Sequence, residues 1–147
     1  MMLEKYELLS RAVNSGAYAH AYLFTSVNKD KLYELAIEFC YRIISKGNMD
    51  ANETYVLKKR LKDGLYTDLL TIAAQGATVK IEQIRKINEF FSYNSFEGLY
   101  RFAVINDADK MNETAQNALL KTLEDPADNR ILILLAVSCL LYTSRCV

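Results

Sequence analysis

Apolar positions follow two alternating periods along this chain. Residues 3–15 carry Leu3, Tyr6, Leu9 and Val13 at helical spacing, and Gly16 ends the run. "AHAYLFTS" is a short apolar stretch bounded by polar residues and reads as a buried strand. "VNKDKLYELAIEFCYRIISKG" returns to helical spacing, with Leu32, Leu35, Ala36, Phe39 and Ile43 on one face and Gly47 as its stop. "NETYVLKKRLKDG" predicts a second, shorter helix closed by Gly64.

The remainder repeats the alternation. "TDLLTIA" predicts a strand, and "KIEQIRKINEFFSYNS" an amphipathic helix with Ile81, Ile84, Ile87 and Phe91 inward. "YRFAVIND" is a strand, "NETAQNALLKTLED" a helix and "RILILLAV" another strand. Strands that alternate with helices predict an α/β fold with a mainly parallel sheet and flanking helices. No internal repeat or low-complexity linker interrupts the pattern. The chain ends soon after a strand, so the sheet is expected to be incomplete at its C-terminal side.

Composition narrows the class. Half of the 147 residues are apolar (51%) and 24% are charged, enough for one packed domain rather than a disordered chain. Formal net charge is zero, which removes any bulk attraction to nucleic acid or acidic lipid while leaving room for a local basic face. No apolar run is long enough to cross a bilayer, and "MMLEKYELLS" is not a secretory signal, so a cytoplasmic protein is expected. Cys40, Cys139 and Cys146 lack metal-type spacing, and their odd number argues against a disulfide framework.

Parallel sheets bind ligands at the carboxyl ends of their strands, so two strand-to-helix turns carry the candidate chemistry. In the first, Thr25, Ser26, Asn28, Lys29 and Lys31 stand where a phosphate-cradling loop would lie. Such a loop needs G-x-x-x-x-G-K-[ST], because glycines let the backbone N–H groups turn inward. Here there is no glycine between Phe24 and Leu32, and neither lysine precedes Ser or Thr. Close backbone approach would demand positive φ from Val27 or Asn28, which a β-branched residue does not tolerate. No bound nucleotide is expected at this turn.

In the second turn, Asn106 and Asp107 occupy the position where an ATPase places an Asp for magnesium and a Glu to orient water. Asn has no charge and Asp is a methylene shorter than Glu. Asp107 and Asp109 are therefore read as turn and helix-entry residues near a positive helix N-terminus. In the helix beyond, Asn112 is the expected N-cap, Ala115, Ala118, Leu119 and Leu123 form the inward stripe, and Pro126 ends it.

"KIEQIRKINEFF", "YRFAVINDADKMNETAQNALLKTLEDP" and "RILILL", in this order and spacing, resemble the delta-prime family of the bacterial DNA polymerase III clamp loader. "AHAYLF" is similar to that family's first strand. The signature helix includes Asp109, Lys110, Met111, Asn117, Leu119, Leu120, Lys121, Glu124 and Pro126. The resemblance implies an AAA+ fold, and a subunit that helps place a sliding clamp on primed DNA during replication. It implies ATP-binding gamma/tau-like and delta-like neighbours, and no ATP hydrolysis by this subunit itself. The alternatives are an active ATPase of the gamma/tau kind, which needs a competent phosphate loop, and a generic α/β interaction module.

Two departures matter. Many relatives hold zinc with four cysteines in a small module, but between Cys40 and Asp68 this chain has neither cysteine nor histidine, so no zinc or other cofactor is expected. The family's Ser-Arg-Cys arginine-finger motif follows a longer segment, so its role is not carried onto Arg145 in Ser144–Cys146. "CLLYTSRCV" back-translates as TGTCTCTTATACACATCTAGATGTGTA, an inverted repeat whose continuation is a stop codon. It looks like two transposon ends joined during library preparation. The expected division is therefore an AAA+ core over residues 1–137 and a non-native tail over 138–147.

Other residues have ordinary readings. His20, the single histidine, is expected to be a satisfied structural residue at the start of a strand. Lys58, Lys59, Arg60 and Lys62 are read as a solvated helix face rather than a DNA contact. Lys110 and Lys121 could approach DNA in an assembled loader. Phe90, Phe91, Tyr93, Phe96 and Tyr100 are read as core and loop packing rather than a base-stacking platform.

Overall fold

A computed structural model describes residues 2–137 of the chain. The expected tail, with Cys139 and the Ser144–Cys146 motif, lies outside the described residues. The elements run α1 (Met2–Ser15), β1 (Ala21–Ser26), α2 (Lys29–Ser45), α3 (Ala51–Lys62), β2 (Leu69–Ile72), α4 (Ile81–Ser92), β3 (Arg101–Ile105), α5 (Glu113–Glu124) and β4 (Arg130–Val137). A short 3-10 turn, Ala108–Lys110, precedes α5. Among the described strands, all pairing is parallel in the order β1-β4-β3-β2. The α/β expectation with flanking helices holds.

Both faces of the two central strands are covered, which is why they read as unbroken apolar runs. Phe102 and Val104 of β3, with Ile131, Ile133 and Leu135 of β4, join Leu32, Phe39, Ile43, Leu57 and Leu61 in one core. The alternate residues Ala103, Ile105 and Leu132 face the other way, against Ile84 and Ile87 of α4 and Ala115 and Leu119 of α5. Ala115 is fully buried, and its small side chain lets α5 lie close to the sheet. Cys40 is buried in the first core, and burial pushes its thiol pKa far upward, so it behaves there as a small apolar side chain.

The helix starts follow from side-chain caps. Asn112 accepts the Ala115 N–H at 2.9 Å, as its spacing predicts. Its replacement by alanine should cost about 1 kcal/mol of stability, read as a lower urea midpoint. Asp50 accepts the Glu53 N–H at 2.8 Å and opens α3. That helix is held by packing and polar contacts: Leu57 and Leu61 are buried, the Tyr41 hydroxyl meets Thr54 Oγ1 at 2.9 Å, and Lys58 pairs with Glu38 at 3.0 Å.

One expectation needs correction and two gain detail. His20 is exposed and lies outside β1; its contribution is a backbone carbonyl that accepts the Leu132 N–H at 2.8 Å. The basic run of α3 is partly neutralised, because Lys58 pairs with Glu38 and Arg60 with Glu97 at 2.7 Å. The aromatic group divides. Phe91 packs on the second core, Tyr100 stacks edge-on against Tyr18, and Phe90 lies under the Arg101 guanidinium. Tyr93 and Phe96 point to solvent, the latter 81% exposed.

The loop that carries Phe96 is nevertheless tightly held. Asp68, fully buried just before β2, accepts the consecutive N–H groups of Phe96, Glu97 and Gly98 at 2.7, 2.7 and 2.9 Å. Arg101 Nε stands 3.4 Å from the same carboxylate, and the guanidinium also donates to the carbonyls of Phe90 and Asn94. A buried carboxylate is tolerable when its lone pairs are satisfied in this way.

Candidate functional site at the carboxyl end of the sheet

Three segments meet where the strands end: the β1–α2 turn at 26–29, the β2–α4 link at 73–80, and residues 106–110 after β3. The first turn lacks the positive-φ backbone of a glycine-rich phosphate loop. Asn28 has φ −113°, an extended conformation, and no residue from 24 to 32 has positive φ. Asn28 serves as the N-cap of α2. Its Oδ1 accepts the N–H groups of Asp30 at 3.0 Å and Lys31 at 3.4 Å, and its own N–H donates to Ser26 Oγ at 3.1 Å. Backbone donors that would face a phosphate at a helix N-terminus are thus turned to a side chain of the same turn.

Asp107 is the turn residue that the sequence predicts, and the fold buries it. It is 5% exposed and its carboxylate is a node for the three segments. Oδ1 pairs with Lys29 Nζ at 2.7 Å, and Oδ2 accepts the Ala74 N–H at 2.7 Å. Lys110 Nζ stands 3.9 Å from Oδ1. Burial pushes the Asp107 carboxyl pKa up, but the Lys29 ammonium and the Ala74 amide outweigh it and hold the pKa below the usual range. Lys29 is shifted upward by the same contact.

Asn106 occupies the end of β3. Its N–H donates to the Ile72 carbonyl at 2.7 Å, while its buried Oδ1 has no hydrogen-bond partner. Asp109 is an exposed member of the 3-10 turn, so its helix-entry reading is correct in place. The β2–α4 link is fixed separately. Gln83 Nε2 donates to the Ala73 carbonyl at 2.6 Å, and its Oε1 accepts the Lys80 N–H at 3.0 Å.

Of the remaining signature residues, Leu119 is buried and Met111 half-buried, with Val79 bridged to Met111 in parallel fashion. Asn117, Leu120, Lys121, Glu124 and Pro126 are exposed, and Leu120 shows 54% of its surface. Thr25 pairs in register with Ala136 at the end of β1, and Lys31 projects from the first turn of α2. Sequence reading missed the union of Lys29 with Asp107, and it missed Ala74 and Gln83 altogether.

Comparison with known proteins agrees with the sequence pattern. The profile of a family described as "DNA polymerase III, delta subunit" matches residues 2–147. The chain belongs to that family. It is similar to the delta-prime subunit of Bacillus subtilis (strain 168), with 28% identity over 130 residues, 88% of this chain and 40% of that protein. The delta-prime subunit of Pseudomonas aeruginosa PAO1 is 30% identical over 151 aligned positions, covering 95% of this chain and 45% of that protein. The tau subunit of Escherichia coli K12 is 27% identical over 128 positions, covering 82% of this chain and 19% of that one.

This delta-prime-like chain therefore spans less than half the length of these relatives. A solved gamma-subunit-related protein from Thermotoga maritima MSB8 superposes with a TM-score of 0.68 over 90% of this chain and 39% of its own, at 22% identity. That likeness concerns the fold, which is AAA+-like. Among the described residues no helix is long and apolar enough to cross a membrane.

Proposed function

We propose that this chain is part of a non-catalytic clamp-loader subunit of the DNA polymerase III holoenzyme. The subunit works by packing beside ATP-binding gamma/tau-like and delta-like neighbours, and the assembly opens a sliding clamp and places it on primed DNA. The carrying observation is the first turn, where the Asn28 carboxamide takes the Asp30 and Lys31 amides. A triphosphate arriving there would find those donors engaged, no glycine to bare the backbone, and no hydroxyl after either lysine to hold magnesium.

Titration of the intact subunit with ATP and magnesium in a calorimeter tests this reading. No binding heat is expected at micromolar nucleotide, and saturable binding there would overturn it. A second reading, an active ATPase, draws on the likeness to the Escherichia coli tau subunit. The same titration decides between them.

A further inference from the structure

At the amino end of the sheet, α1 and α2 finish beside the loop that precedes β3, and two cavities open there. The larger, about 510 Å3, is walled by Tyr18, Tyr41 and Tyr100 together with Arg42, Ser45 and Lys46. Ligand pockets run about 300–1,000 Å3, so this one has room for a bulky group. The smaller, about 290 Å3, lies between Ile44 and the Gly98–Leu99 segment. Ser45, Lys46 and Tyr100 line both, so the two make one groove with Lys46 at the joint.

Most polar groups in these walls are already engaged. Arg42 Nε pairs with Glu38 at 3.0 Å, and its Nη1 donates to Ser10 Oγ at 2.7 Å. The Tyr41 hydroxyl meets Thr54 Oγ1, and Lys58 Nζ stands 4.6 Å from the centre of the Tyr41 ring. Lys46 differs. Among the described residues its ammonium has no carboxylate partner. Its backbone caps α2 at φ 49°, a left-handed conformation uncommon for a residue with a side chain. Among the described residues no carboxylate lines either cavity, so the groove is cationic in a chain of zero formal net charge.

We propose that this groove docks a short extended segment of a partner protein in which a carboxylate separates an aromatic from an aliphatic side chain. The aromatic group enters the tyrosine-walled cavity, where ring edges and faces are offered to it. The carboxylate meets the Lys46 ammonium, which supplies charge complementarity at the joint. The aliphatic group covers Ile44 and Leu99, the latter 55% exposed. Nucleic acid fits this surface less well. A strand brings a phosphate with every nucleotide, whereas the groove offers one unpaired ammonium between apolar walls.

Fluorescence anisotropy on the intact subunit tests the groove. The probes are labelled ten-residue peptides centred on Phe-Glu-Leu, Tyr-Asp-Ile and their reversals, each with a control that carries lysine for the acidic residue. Saturable binding of acidic peptides in the micromolar range is expected, with none for the lysine controls. Lys46→Asn should weaken it about tenfold, because asparagine keeps the left-handed backbone and removes the charge. Lys46→Arg should restore it. Lys46 is exposed, so neither variant disturbs the core. A labelled single-stranded DNA of ten nucleotides should bind more weakly than the acidic peptides.

The proposal is overturned if no acidic peptide saturates the wild type, if Lys46→Asn binds as tightly as wild type, or if the DNA binds more tightly. Each of these results is independent of the ATP titration, which alone decides the wider reading of function.

Discussion

Replacing Asp68 with alanine should lower the thermal unfolding midpoint by roughly 10–15 °C. The substitution strands three consecutive amides, those of Phe96, Glu97 and Gly98, together with the buried Arg101 guanidinium. Breaking a buried ion pair by deleting one partner costs about 3–5 kcal/mol, because the remaining charge stays desolvated. For a chain of this size each kcal/mol moves the midpoint by about 2–4 °C or slightly more. Asp68→Asn should be milder, since one carbonyl oxygen remains to accept, although its amide nitrogen then confronts other donors. Paired melts followed by circular dichroism would check the order. A shift below about 3 °C for alanine would mean that the 94–100 loop is not anchored by this carboxylate.

Phe39→Ala should be comparably damaging for a different reason. Phe39 is completely buried on α2 and meets Tyr22 and Phe24 of β1 edge-on, with ring centroids 4.9 and 5.8 Å away. Removing the ring loses its transfer free energy and those aromatic contacts, and leaves a cavity between helix and sheet. The expected cost is about 3–5 kcal/mol, read as a lower urea midpoint with an unchanged slope. Phe39→Leu should recover most of the loss, because the volume deficit is small and leucine fits a helix well. If leucine and alanine were equally destabilising, ring geometry rather than filled volume would be the governing factor.

The central strands were the most legible part of the sequence. "RILILLAV" predicted the strand observed at Arg130–Val137, and "RFAVI" the one at Arg101–Ile105, because strands buried on both faces leave a continuous apolar signature. Asn112 and Pro126 likewise marked the ends of α5 through purely local chemistry. The polar network was not legible in the same way. Lys29 and Asp107 are joined by the crossover of a parallel sheet, and no periodicity links them. The partners of Asp68 on the 96–98 loop lie 28 to 30 residues away and are backbone amides, which carry no residue identity to read.

Exposure was a second blind spot. Apolar composition says that most aromatics pack, but it does not say which one a turn will push outward. Phe96 sits on a loop whose backbone is committed to Asp68, so its side chain is directed to solvent. His20 was misplaced by a single boundary: β1 begins at Ala21, and the histidine remains outside it.

The strand order has a consequence for synthesis on the ribosome. β1 pairs with β4 in a register that joins Ala21 to Leu132 and Ser26 to Val137. β1 therefore emerges well before its sheet partner has been made. At about 5–20 residues per second, β1 waits roughly 5–20 s before the strand it needs has been translated. During that interval the aromatic side of β1, Tyr22 and Phe24, has only helix residues such as Leu9 and Phe39 for shelter.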